Sequence, residues 1–220
     1  MCHSMSRSHR VLAATAVALA LLSAIRNTAA AEAARTLAQP ADLDLYFLAY
    51  QAAGVDPPFG ALAGRDPKVE RADEFTRQKT ADDVERQLRA RAESVRDVRF
   101  LQVNINATIG EYDSRYGEFT FAGLGDGTYI PSGRVFGSDV RIALVNGGQV
   151  QSWPLDAAAA EAALRRNRGE RWVTLALRLE IAGAERPVDG VPLVLQAKII
   201  GCDIMAGDGT TRLGSVAPNH

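Results

Sequence analysis

Apolar and polar residues alternate strictly through the middle of the chain. From Arg99 onward, Leu101, Val103, Ile105, Ala107 and Ile109 fall on one side, while Gln102, Asn104, Asn106 and Thr108 fall on the other. A period of two marks a strand with one face covered and the other wet. "GEFTFAG" predicts the return strand. "SDVRIALV" predicts another, closing at the turn "NGG" with "QVQSW" as its hairpin partner. Further on, "RWVTLALRLEI" sends Val173, Leu175, Leu177, Leu179 and Ile181 inward and Thr174, Arg178 and Glu180 outward. "VPLVLQAKIIG" repeats the pattern with Val191, Leu193, Leu195, Ala197 and Ile199. Such regularity favours an antiparallel sheet, because strands of a parallel sheet are usually buried on both faces.

Upstream of Arg99 the period is helical. In "PADLDLYFLAYQAAG", Asp42 is the natural N-cap, Leu45, Leu48 and Ala52 share a face, and Gly54 suits the left-handed closing conformation. "VDPPFGALAGRDP" is rich in turn residues. "TADDVERQLRARAESV" predicts a second helix. Thr80 and Asp83 form a variant capping box, and Val84, Leu88, Ala92 and Val95 recur at helical spacing. "KVERADEFTRQK" extends it upstream, anchored by Val69 and Phe75. A third helix, "PLDAAAAEAALRRN", interrupts the strands, with Pro154 near its start and a Glu161–Arg165 pair one turn apart.

These elements predict an α+β fold, with N-terminal helices followed by an antiparallel sheet of about six strands with one inserted helix. Residues 34–97 form the helical region, residues 98–220 the β-rich region, and the two make one globular domain packed helices on sheet. Residues 1–33 read as a signal peptide. Arg7 and Arg10 precede the run "VLAATAVALALLSAI", and small residues at Ala29, Ala31 and Ala33 suit cleavage near Ala31 or Ala33. The run is short of the roughly 20 residues that span a bilayer. Once the leader is cleaved, no transmembrane segment is predicted. Met5 offers an alternative start. The expected location is periplasmic or secreted, and the Ala- and Arg-rich composition suggests a bacterial source.

Removing the leader changes the charge. Residues 32–220 lose Arg7, Arg10 and Arg26 and no acid, which leaves 22 basic against 26 acidic residues and a net charge of −4. No basic patch remains that would predict nucleic-acid binding. Cys2 leaves with the leader, so Cys202 has no partner for an internal disulfide and reads as a buried small hydrophobe. The histidines are His3, His9 and the C-terminal His220. No internal imidazole is present for Ser-His-Asp or Cys-His catalysis, nor a His pair for zinc. No stretch predicts a cofactor or a metal site. An enzyme built on this chain would run on carboxylates, Tyr, Lys or Arg.

Two sets of residues are candidates for function. Glu111, Asp113 and Glu118, joined by Asp126 of "GLGDGTY", place carboxylates at one end of the sheet, as glycoside hydrolysis would require. The same residues beside Gly and Ser also describe a solvated turn, and "GDGT", at Gly125 and again at Gly207, reads as a tight turn. The second set is a surface for a ligand or partner. It comprises the polar strand face of Gln102, Asn104 and Asn106, whose amides both donate and accept, and Tyr46, Phe47 and Tyr50 on the first helix, which exceed what one buried stripe needs and so predict an exposed docking patch. Trp153 and Trp172 flank the third helix and read as core anchors.

A leader, a helical region containing "DEFTRQ", and a strand running into "GEYD" and then "GEF" resemble, over Tyr46 to Phe121, bacterial secreted domains of unknown function. The resemblance implies no catalytic residue and supports a non-enzymatic role. The sequence thus predicts a non-catalytic binding or structural-accessory module of the periplasm or cell envelope, acting on a protein partner or as a homo-oligomer. The alternative is a carboxylate-based hydrolase acting on an envelope or extracellular polymer.

Overall fold

A computed structural model describes residues 34–218. The predicted leader and His220 lie outside the described residues. The elements run β1 (Arg35–Ala38), α1 (Asp42–Ala52), α2 (Phe59–Gly64), α3 (Pro67–Glu70), α4 (Arg77–Glu93), β2 (Val98–Ile109), β3 (Glu118–Ala122), β4 (Tyr129–Val135), β5 (Ser138–Leu144), a 3-10 turn (Gly147–Val150), β6 (Ser152–Pro154), α5 (Ala157–Arg166), β7 (Trp172–Ala184), β8 (Leu193–Ala206) and β9 (Arg212–Val216). The fold is α+β, and among the described residues no helix is long and apolar enough to cross a membrane.

The sheet is larger than predicted, and it is mixed rather than antiparallel. Nine strands join in the order β4-β5-β8-β7-β2-β3-β6, with β1 added beside β2 and β9 beside β8, and the sheet curls into a half-barrel. Two of its pairings, β1 with β2 and β5 with β8, are parallel. Alternation reports which faces are wet. It does not report strand direction, and here one face stays wet across parallel neighbours as well. β1, four residues long and mostly exposed, gave no pattern to read.

α1 packs against β4, β5, β7 and β8 and also touches α4. Leu45, Tyr46, Phe47, Leu48 and Ala49 are all buried. A helix enclosed all round needs apolar residues all round, and that is why its aromatics outnumber a single stripe. Its N-cap is Ala41 rather than Asp42, and the N3 residue Asp44 reaches back to accept from the Ala41 N–H at 3.1 Å. Gly54 closes the helix at φ +66°, as predicted.

Several local expectations are corrected. α4 starts after Thr76, so Thr80 is inside the helix; Asp73 organises the start by accepting from Phe75 N, Thr76 N and the Thr76 hydroxyl. These contacts, that from Thr76 foremost, hold the Asp73 carboxyl below its usual range. Phe75 anchors nothing and is 88% exposed. "QVQSW" does not return along β5: the Asn146 turn runs into the 3-10 segment, and β6 pairs with β3. The true partner of β5 is β4, through Phe136 and Gly137, both at positive φ as a two-residue turn of this hand requires. Phe is an unusual residue there, so the turn was not signalled. Val191 lies in the loop before β8 and is exposed.

A bulge in β8 shapes the outer face of the sheet. Arg178 of β7 faces Gly201 but its neighbour Leu179 faces Ile199, leaving Ile200 unopposed. The extra residue flips the alternation, so Leu195, Ala197 and Ile199 before it and Cys202, Ile204 and Ala206 after it all face the core. Asp203 and Met205 therefore land on the outer face. Buried Asn146 pins the bulge, donating to Ile199 O at 3.0 Å and accepting from Ile199 N at 2.7 Å. It does so where the neighbour of β8 changes from β5 to β9.

Candidate functional site

The outer faces of β2, β7, β8 and β9 carry a continuous polar surface. Register sets the side chains in rows. Asn106 lies opposite Thr174, which faces Met205 and then Arg212; Asn104 lies opposite Ala176, which faces Asp203 and then Ser215; Gln102 lies opposite Arg178, which faces Gly201. Small residues at Ala176 and Gly201 leave an open hollow of about 470 Å³, lined by Gln102, Asn104, Ala176, Arg178, Asp203, Met205, Gly209 and Arg212. The Arg178 guanidinium lies over Gly201. A Cβ at Gly201 would sit 2.9 Å from its Cζ and Nε, so any other residue would push the guanidinium aside. Asp203 is paired with Arg212 at 2.6 Å. Among the described residues Arg178 has no such partner.

A second hollow of about 270 Å³ adjoins at the β8–β9 hairpin, lined by Trp172, Arg166, Asn167, Arg168, Glu170, Ala206, Gly207 and Asp208. Trp153 is buried as predicted, but Trp172 is 62% exposed. It starts β7 on the outward side, two residues before Thr174, so the alternation that buries Val173 turns the indole out. Asp208 accepts from Thr210 N and Thr211 N, which tightens the predicted "GDGT" turn and holds its carboxyl below the usual range.

Of the sequence-predicted residues, Gln102 and Asn104 line the larger hollow and Asn106 lies one row beyond it. Glu111, Asp113, Glu118 and Asp126 line neither of these hollows. Asp113 accepts from Arg115 N at 2.8 Å and Tyr116 N at 3.2 Å, and forms a bridge with Glu118; Glu111 is exposed beside it. Asp126 accepts from Gly148 N at 2.9 Å. For Asp113 this is turn chemistry with a local reason for the acid. Among the described residues no group of three or more His, Cys, Asp or Glu could hold a metal ion.

The exposed aromatic patch is corrected. Tyr46 and Phe47 are 3% and 2% exposed and Tyr50 is half-buried, all within the chain itself. Tyr46 packs edge-on against Phe47 and Phe136, and its hydroxyl donates to Tyr50 Oη at 3.4 Å. Burial first, then Tyr50, raises the Tyr46 pKa. Beyond α1, a groove of about 450 Å³ opens between Phe47, Phe59, Val55 and the end of α4, where Arg89 lies over the Phe59 ring. Cys202 is buried, and burial pushes its thiol up to about 12.

The residues that sequence reasoning missed are Arg178, Asp203, Arg212 and Trp172. The outward direction of Arg178 was legible. Its place opposite Gln102 and Gly201 depended on strand register, and Asp203 reaches this face only through the bulge. Comparison with protein-family models, with curated proteins and with solved structures finds no match for this chain.

Proposed function

We propose that this chain is an exported, non-catalytic binding module of the periplasm or cell envelope, and that its binding surface is the outer face of β2, β7 and β8. The leader pattern of residues 1–33 supports export. One observation carries the binding reading. Gln102, Asn104 and Arg178 line an open hollow on one face, Asn106 lies one row beyond them, and among the described residues their side chains have no hydrogen-bond partner. Buried Asn146 and Asn167, by contrast, each bond main-chain groups through both ends of the amide. The partner is a ligand or another macromolecule that meets amide donors and acceptors and a guanidinium, the groups that fix orientation in binding sites.

Native mass spectrometry of the full chain, recovered from the envelope fraction of the cells that make it, tests this. The expected result is a chain starting near Glu32 or Ala34 that carries a non-covalent mass, with that mass lost in the Gln102→Ala/Asn104→Ala/Asn106→Ala variant. A chain still starting at Met1 or Met5 contradicts the cleaved-leader reading on which the location rests. A mass retained by the triple variant contradicts the assignment of the face.

A further inference from the structure

Resting on the reading of the outer face as a binding surface, we propose that its ligand is an acidic polysaccharide strand laid along β7 from Trp172 to Arg178. The first support is how Trp172 is held. Asn167, itself 4% exposed, donates to Trp172 O at 2.9 Å and to Glu170 O at 2.7 Å, and accepts from Gly207 N at 3.1 Å. A buried amide thus fixes the main chain beneath an exposed indole. A flat apolar ring on a rigid base binds with little loss of side-chain freedom, and the C–H face of a sugar ring is its natural counterpart.

The second support is the row of side chains beyond the indole. Thr174, Ala176 and Arg178 continue the same face in unbroken register with β2. Six residues at about 3.3 Å each span about 20 Å, room for several sugar rings. Asn106, Asn104 and Gln102 flank this track with unpartnered amides, suited to hydroxyls that both donate and accept. At its far end the Arg178 guanidinium, free of any acidic partner among the described residues and lying over Gly201, offers a fork for a carboxylate. A protein partner would want a large apolar centre, and between Trp172 and Arg178 the face has Thr174 and Ala176. Nucleic acid would want many free cations, and Asp203 already neutralises Arg212.

Isothermal titration of the full chain with a galacturonate hexasaccharide, and with the neutral maltohexaose as comparison, decides the matter. The acidic oligomer should bind more tightly than the neutral one. Trp172→Ala should weaken it about tenfold, the scale of one good aromatic contact, while Trp172→Phe retains most of the affinity. Arg178→Gln should erase the preference for the acidic oligomer, and added salt should weaken binding. Equal binding of both oligomers, or an affinity unmoved by Trp172→Ala, overturns the proposal. If neither oligomer binds while native mass spectrometry finds a non-carbohydrate mass that depends on Gln102, Asn104 and Asn106, the polysaccharide proposal falls and the binding face stands. If neither oligomer binds and no mass is found, both fall.

Discussion

The carboxylate of Asp44 and the guanidinium of Arg91 tie α1 to α4. Nη2 of Arg91 donates to Oδ2 at 2.7 Å, and Nε lies 2.6 Å from Oδ1. Oδ1 receives charge but no well-directed hydrogen bond. Asp44 is 2% exposed whereas its partner is half in solvent. Removing one member of a fully buried pair costs about 3–5 kcal/mol; with Arg91 part-hydrated, we expect Arg91→Ala to cost about 2 kcal/mol. Urea unfolding should show a lower midpoint at unchanged slope. Asp44→Asn should cost less than Arg91→Ala, because it leaves no buried charge behind.

Asn146 is the residue on which the shape of the outer face depends. Its amide bonds the N–H and C=O of Ile199, beside the bulge that turns Asp203 outward. Asn146→Ala strands two buried main-chain groups and should cost about 2–4 kcal/mol. Hydrogen exchange should locate the loss, with protection falling at Ile199 before it falls at Leu177 in the neighbouring strand.

The acids of the 111–118 loop should matter for local stability and not for chemistry. Asp113→Ala removes two turn hydrogen bonds and should cost about 1 kcal/mol. Glu111→Ala, exposed and free of such bonds, should leave the thermal midpoint unchanged within about 0.5 kcal/mol. A glycan-cleaving activity abolished by either substitution would favour the carboxylate hydrolase reading instead.

Cys202 predicts a pH dependence. An ordinary thiol ionises near about 8.5, and burial pushes this one up to about 12. The native state therefore keeps the thiol proton where the unfolded chain has lost it. Stability from this group is complete below about pH 8.5 and is lost as pH rises toward 12. Chemical denaturation at pH 7.5 and pH 10 should show wild type losing more stability than Cys202→Ala over that interval. Thiol reagents should label Cys202 only in denaturant.

Much of the fold was legible because burial leaves a periodic trace. The core sides of β2 and β7 follow directly from the alternation of Leu101 and Val103 and of Leu175 and Leu177. What was not legible depends on partners distant in sequence. Tyr46 and Phe47 could be recognised as surplus to one stripe, but only the curl of the sheet around α1 explains where the surplus goes. Trp172 obeys the alternation that surrounds it, yet its bulk suggested a core anchor. The bulge at Ile200 has no sequence signature beyond Gly201, and it moves Asp203 from one face to the other. The polar side was therefore readable on β2 and, for Thr174 and Arg178, on β7, while the pairing that sets them side by side and brings Asp203 to the same face was not.

Site-specific photo-cross-linking in intact cells tests the binding face most directly. A photoreactive residue replaces Asn104, at the edge of the larger hollow, and a second chain carries it instead at Lys79, on the exposed side of α4. The outer-face reading predicts a discrete adduct from position 104, reduced when Arg178 is also changed to Gln, and none from position 79. No adduct from position 104, or the same adduct from both positions, would contradict it.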